Sequence, residues 1–69
     1  MTEIQARKLA VEIAKVPGWY AYAEEEHQPY NRWYIHNWWV QTQHVSMQGR
    51  GTVPIESWEG FELARIAWE

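Results

Sequence analysis

Residues 19–41 read WYAYAEEEHQPYNRWYIHNWWVQ, and the alternation within them decides the fold. From Trp19 the side chains follow a period of two. Trp19, Ala21 and Ala23 fall on one side, and Tyr20, Tyr22 and Glu24 on the other. That is the pattern of a strand with two unlike faces, closing in Glu24-Glu25-Glu26. The following His27-Gln28-Pro29-Tyr30-Asn31 places Pro and Asn between two β-prone runs, so a hairpin loop is expected there. A second strand should run from Arg32 to about Gln41, with Trp33, Ile35, Asn37 and Trp39 on one side and Tyr34, His36, Trp38 and Val40 on the other.

Working outward, Thr2-Glu3-Ile4-Gln5 fits a capping box, in which the Thr hydroxyl and the Gln amide satisfy the free donors of a helix start. Ala6, Leu9, Ala10, Ile13 and Val16 then recur at helical spacing, and Pro17-Gly18 supplies the stop. Ile4 and Val11 fall on the far side of this helix beside Lys8 and Lys15, giving a partly apolar, basic second face. It is either a pair of scattered surface hydrophobes or a docking face.

On the other side of the hairpin, a third strand is expected over His44 to Gln48, with Gly49-Arg50-Gly51 as the next turn. One long bent strand reaching Gln48 is the alternative. Ser57 is a good N-cap for a closing helix. Phe61, Leu63, Ala64, Ala67 and Trp68 are expected to form its buried side, and Gly60 to permit close approach of the first helix. The predicted architecture is α+β: a two-layer α-β-β-β-α domain, an antiparallel three-stranded meander with both helices on one face, filling residues 1–69 as a single domain.

A chain of 69 residues has little core to offset its conformational entropy, and without cysteine it has neither disulfides nor thiolate metal sites to help. Six Trp among 16% aromatic residues are the available staple. There is no apolar run near the ~20 residues of a membrane span and no leader pattern, so a soluble, unprocessed, cytoplasmic protein is expected. The net charge of −3 disfavours a domain whose affinity comes from phosphate neutralisation. Its charge is polarised: Arg7, Lys8 and Lys15 lie early, whereas Glu56, Glu59, Glu62 and Glu69 stand late against Arg65.

The constellations that carry chemistry are sparse. His27, His36 and His44 match no compact ligand spacing, so no metal is expected. Ser46 and Ser57 lack a nucleophile-elbow setting, Gly49-Arg50-Gly51 lacks the length and ending of a phosphate loop, and so small a domain has little interior in which to separate carboxylate pKa values. Neither cofactor nor catalysis is expected. Glu24-Glu25-Glu26 reads as a solvated strand end that discourages edge pairing.

The surplus of strand aromatics points to an interaction surface. If Trp33, Ile35 and Trp39 face the helices, then Tyr20, Tyr22, Tyr34, His36 and Trp38 form an open apolar face. The opposite register of the second strand exposes Trp33 and Trp39 instead. The expected function is a non-catalytic protein-binding module using this face, with Glu59, Glu62 and Glu69 of the last helix steering the partner. The alternatives are a nucleic-acid-binding module that stacks bases on the sheet, with Arg7, Lys8, Lys15, Arg32 and Arg50 on phosphates, and a homodimer whose seam is the aromatic patch.

The element order resembles the double-stranded-RNA-binding domain, and Gly49-Arg50-Gly51-Thr52 is similar to the glycine-containing turn before that family's last helix. The resemblance covers the chain in topology. Where the family grips phosphates with a lysine cluster, this sequence has Ser57-Trp58-Glu59-Gly60. In style the short, acidic, cysteine-free, aromatic-rich chain is also similar to small phage-encoded inhibitors of host proteins, anti-CRISPR proteins among them. That likeness implies an inhibitor of a nucleic-acid-handling or defence protein, with the acidic helix imitating a phosphate backbone.

Overall fold

The computed structural model describes residues 1–26, 37–47 and 51–69. The expected hairpin loop at 27–31, the start of the second strand at 32–36, and Gln48, Gly49 and Arg50 lie outside the described residues. The element order is α1 (Glu3–Ala14), β1 (Trp19–Glu26), β2 (Asn37–His44), a single 3₁₀ turn (Val45–Met47), β3 (Val53–Ile55) and α2 (Trp58–Trp68). The strands form an antiparallel meander in the order β1-β2-β3.

α1 begins as its sequence dictates. Gln5 N–H donates to Thr2 Oγ1 at 3.2 Å, and Thr2 N–H donates to Gln5 Oε1 at 2.9 Å. The helix buries Ala6, Ala10 and Ile13, packs Leu9 and Val16 partly, and lies across β1 and β2. Small residues at the contact let the helix axis approach the sheet closely. Gly18 then turns the chain at φ +87°, a left-handed conformation that favours glycine.

Register fixes which strand faces are covered. Trp19 lies opposite His44, Ala21 opposite Thr42, Ala23 opposite Val40 and Glu25 opposite Trp38, so these residues share the face that α1 covers. Tyr20, Tyr22 and Glu24 lie opposite Gln43, Gln41 and Trp39 on the other face. Of the two registers left open by the sequence, the structure adopts the one that turns Trp38 inward and Trp39 outward.

The third strand is a correction. His44 ends β2, Val45–Met47 forms the 3₁₀ turn with Met47 buried, and the strand lies later, at Val53–Ile55. It is an edge strand, which is where its Pro54 is tolerated because the outer side needs no ladder donor. Its attachment is reinforced by Thr42, fully buried, whose hydroxyl donates to the Val53 carbonyl at 2.8 Å.

α2 packs on β3 and carries one fully buried residue, Phe61. Phe61 meets the Trp19 indole edge-on, with ring centroids 5.0 Å apart, which puts α2 on the same sheet face as α1. Trp19 Nε1 donates to Glu69 Oε1 at 2.7 Å, closing the far end of α2 onto β1. Two expectations for α2 fail. Leu63 and Ala67 are exposed rather than buried, and a Cβ at Gly60 would meet, among the described residues, only the Ser57 hydroxyl of its own cap at 3.4 Å.

Thr42→Val keeps the shape but deprives the Val53 carbonyl of its buried donor. The expected cost is about 1–3 kcal/mol, read as a lower urea midpoint with unchanged slope. The Trp19 indole N–H holds the Glu69 carboxyl below its ordinary value of 4.5, with Arg65 assisting and burial opposing. A carboxyl depressed in the folded state stabilises fully above its unfolded value, and that contribution is lost as pH falls through the folded value. Glu69→Gln is therefore expected to destabilise at neutral pH and to lose less on acidification below 4.5 than the parent chain, as pH-resolved urea melts will show.

Candidate interaction face on the open side of the sheet

The sheet face that neither helix covers is built from the outward positions of β1 and β2. Tyr20 and Tyr22 are 64% and 53% exposed, as expected of strand positions that no helix covers. At the next outward position Glu24 gathers two donors from β2. Trp39 Nε1 lies 3.0 Å and Gln41 Nε2 2.7 Å from its Oε2. Gln41 in turn accepts from the Thr52 hydroxyl at 2.8 Å, and Gln43 donates to the Gly51 carbonyl at 3.3 Å. The result is a polar lattice that includes the residues opposite the tyrosines, Gln43 facing Tyr20 and Gln41 facing Tyr22.

The electrostatics follow from these bonds. The Gln41 amide, and next the Trp39 indole, hold Glu24 below its ordinary value of 4.5 against the opposing effect of burial. Glu24 is negatively charged at neutral pH, as an ordinary carboxyl would be, and its two donors fix where on the face that charge sits. Both donors use Oε2, so among the described residues Glu24 Oε1 has no hydrogen-bond donor. Further along, Asn37 Nδ2 donates to Glu26 Oε2 at 3.3 Å. Glu24 and Glu26 thus bond across to β2, a tighter role than the solvated strand end expected of the acidic run.

Of the residues singled out by sequence, Tyr20 and Tyr22 share this face, whereas Trp38 does not. Trp38 packs against the core, and the Arg7 guanidinium of α1 lies 6.0 Å from its ring centroid. Trp39 holds the outward place. Tyr34 and His36 lie outside the described residues. Glu59 and Glu62 are exposed on α2, in the layer on the opposite side of the sheet, and Glu69 is engaged by Trp19 and by Arg65 Nε at 3.1 Å. The acidic helix and the tyrosines therefore do not form one surface.

Trp39 also borders an open groove of about 460 Å³ along the β3 edge, lined further by Val53, Pro54, Ile55, Gly60 and Ala64. Beside Tyr20 a smaller hollow of about 180 Å³ is lined by Gln43, His44 and Val45. His44 Nδ1 lies 2.7 Å from Ser46 Oγ and accepts the Ser46 backbone N–H at 3.2 Å, which is turn-closing geometry within the 3₁₀ segment. Among the described residues no three His, Cys, Asp or Glu side chains are grouped to hold a metal ion, and no helix is long and apolar enough to cross a membrane.

Glu24, Gln41 and Trp39 were not legible as a unit in the sequence. Their association depends on the β1–β2 register, and the sequence between the two strands holds no two-residue turn signal. Compared with known proteins, the chain matches no family model, no curated protein and no solved structure.

Replacing both donors to Glu24, as Trp39→Phe with Gln41→Ala, is expected to return the Glu24 carboxyl toward 4.5. Side-chain carboxyl NMR titration reads this directly, and in the parent chain the Trp39 indole proton should titrate in step with Glu24.

Proposed function

We propose that this chain is a non-catalytic protein-binding module whose open sheet face takes a basic segment of its partner. The observation that carries the reading is the combination on one face of two exposed tyrosines, the Trp39 indole and the Glu24 carboxylate held in place by its two donors. Aromatic side chains of this kind supply binding energy at low entropic cost, and arginine or lysine is attracted both to ring faces and to a carboxylate. Glu24 Oε1 is the acceptor such a side chain would use.

The location of the charges supports protein over nucleic acid. Arg7, Lys8 and Lys15 sit on α1, across the sheet from the tyrosines, so a strand stacked on Tyr20 and Tyr22 would meet Glu24 rather than these bases. Proteins that handle nucleic acid display arginine and lysine in their grooves. An inhibitor of such a protein, in the manner of the small phage proteins, is the specific form of this proposal.

Tyr20→Ala with Tyr22→Ala removes two exposed side chains and leaves the core intact. Fluorescence anisotropy with an arginine-rich peptide and with a single-stranded oligonucleotide separates the readings. The peptide is expected to bind the parent chain and to lose about 30-fold or more in the variant, the scale of a hot-spot loss. Oligonucleotide binding that falls steeply with salt and is lost in the same variant would replace this reading with a base-stacking platform.

A further inference from the structure

α1 and α2 cover one sheet face, and each turns an unpartnered apolar stripe away from it. At about 100° per residue, Ile4 and Val11 lie roughly opposite the buried Ala6, Ala10 and Ile13, in line with Lys8 and Lys15. On α2, Leu63 and Ile66 lie roughly opposite the buried Phe61, beside Glu59 and Glu62. The exposure is high: 67% for Ile4, 56% for Val11, 71% for Leu63 and 80% for Ile66. One stripe is apolar and basic, the other apolar and acidic.

We infer that the outer surface of the helical layer is a self-association face, on which α1 of one copy docks against α2 of a second copy. Within one chain the stripes cannot meet, because both point away from the same sheet. A two-fold axis in the plane of contact, passing between the helices, lays α1 on the partner's α2 and α2 on the partner's α1. The complementary contact is then made twice and the assembly closes as a dimer.

The charges favour this occupant. On α1 the acids are spent locally, Glu3 on Arg7 at 3.1 Å and Glu12 on Lys15 at 3.2 Å, and among the described residues Lys8 enters no ion pair. On α2 the one base, Arg65, turns inward over the Phe61 ring, 5.7 Å from its centroid, and reaches Glu62 and Glu69. Glu59 enters no ion pair among the described residues. The outward edge of α2 therefore keeps Glu59 beside its apolar groups, with Glu62 shared with Arg65, and the outward edge of α1 keeps Lys8 beside its apolar groups, with Lys15 and Glu12 paired to each other. Pairing like with like would set lysine on lysine and glutamate on glutamate, which the crossed arrangement avoids.

The seam differs from the aromatic patch and leaves Tyr20 and Tyr22 open, so this inference does not rest on the binding reading above. Sedimentation velocity over a concentration series tests it with two charge reversals, Lys8→Glu/Lys15→Glu and Glu59→Lys/Glu62→Lys, each checked by circular dichroism. The parent chain is expected to dimerise, more weakly as salt rises. Each reversal alone should weaken the dimer about tenfold or more. An equimolar mixture of the two variants should dimerise again, because every α1–α2 contact in the mixed pair regains opposite charges. Ile66→Asp should also abolish the dimer while the monomer stays folded. A parent chain that remains monomeric overturns the inference. So does a dimer indifferent to both reversals, or one lost instead through Tyr20→Ala/Tyr22→Ala.

Discussion

The packing of the Trp19 indole is the contact on which the two layers depend. It is 3% exposed at the first position of β1, edge-on to Phe61 of α2, tilted against His44 of β2 with centroids 5.0 Å apart, and bonded through its N–H to Glu69. One side chain thus joins β1, β2 and both ends of α2. Burial of about 200 Å² of indole corresponds to roughly 5 kcal/mol as an upper bound, comparable to the entire net stability of a small domain. Without disulfides, this is how a short chain ties its last helix to its sheet.

The dependence on one ring explains what α2 does not do. Helix α1 lies flat on two strands and buries a row of small residues, whereas α2 rests on the short edge strand β3 and inserts Phe61, with Ala64 and Trp68 only partly covered. An 11-residue helix anchored at one residue cannot also bury Leu63, which stands about 200° around from Phe61. The sequence pattern groups Phe61, Leu63, Ala64, Ala67 and Trp68 as one broad buried side. Physical geometry admits only one side of the helix, and Leu63 and Ile66 are left on the surface.

Legibility varied with how sharply each segment distinguishes its faces. α1 was readable because its cap, its apolar spacing and Pro17-Gly18 agree, and β1 because small alanines alternate with tyrosines. β2 carries aromatics at both Trp38 and Trp39, so hydrophobicity alone could not orient it; the structure turns Trp38 inward and Trp39 outward to bond Glu24. β3 was misplaced because Val53-Pro54-Ile55 is too short for a period to appear and contains a residue that counts against strands. Thr42, buried with its hydroxyl on Val53, gave no signal because a lone threonine in a polar run looks exposed.

The same rule of two faces organises the functional proposals. Closing the core on one sheet face necessarily leaves the opposite face of that sheet and the outer side of the helices as separate surfaces. The sheet face joins tyrosines to a carboxylate whose position two donors fix, and the helical face carries Lys8 on one stripe and Glu59 on the other. A two-layer fold this small cannot bring these charges together within one chain. The exposed acids of α2 and the tyrosines therefore lie on opposite sides of the sheet, and any contact that used both would have to reach around its edge.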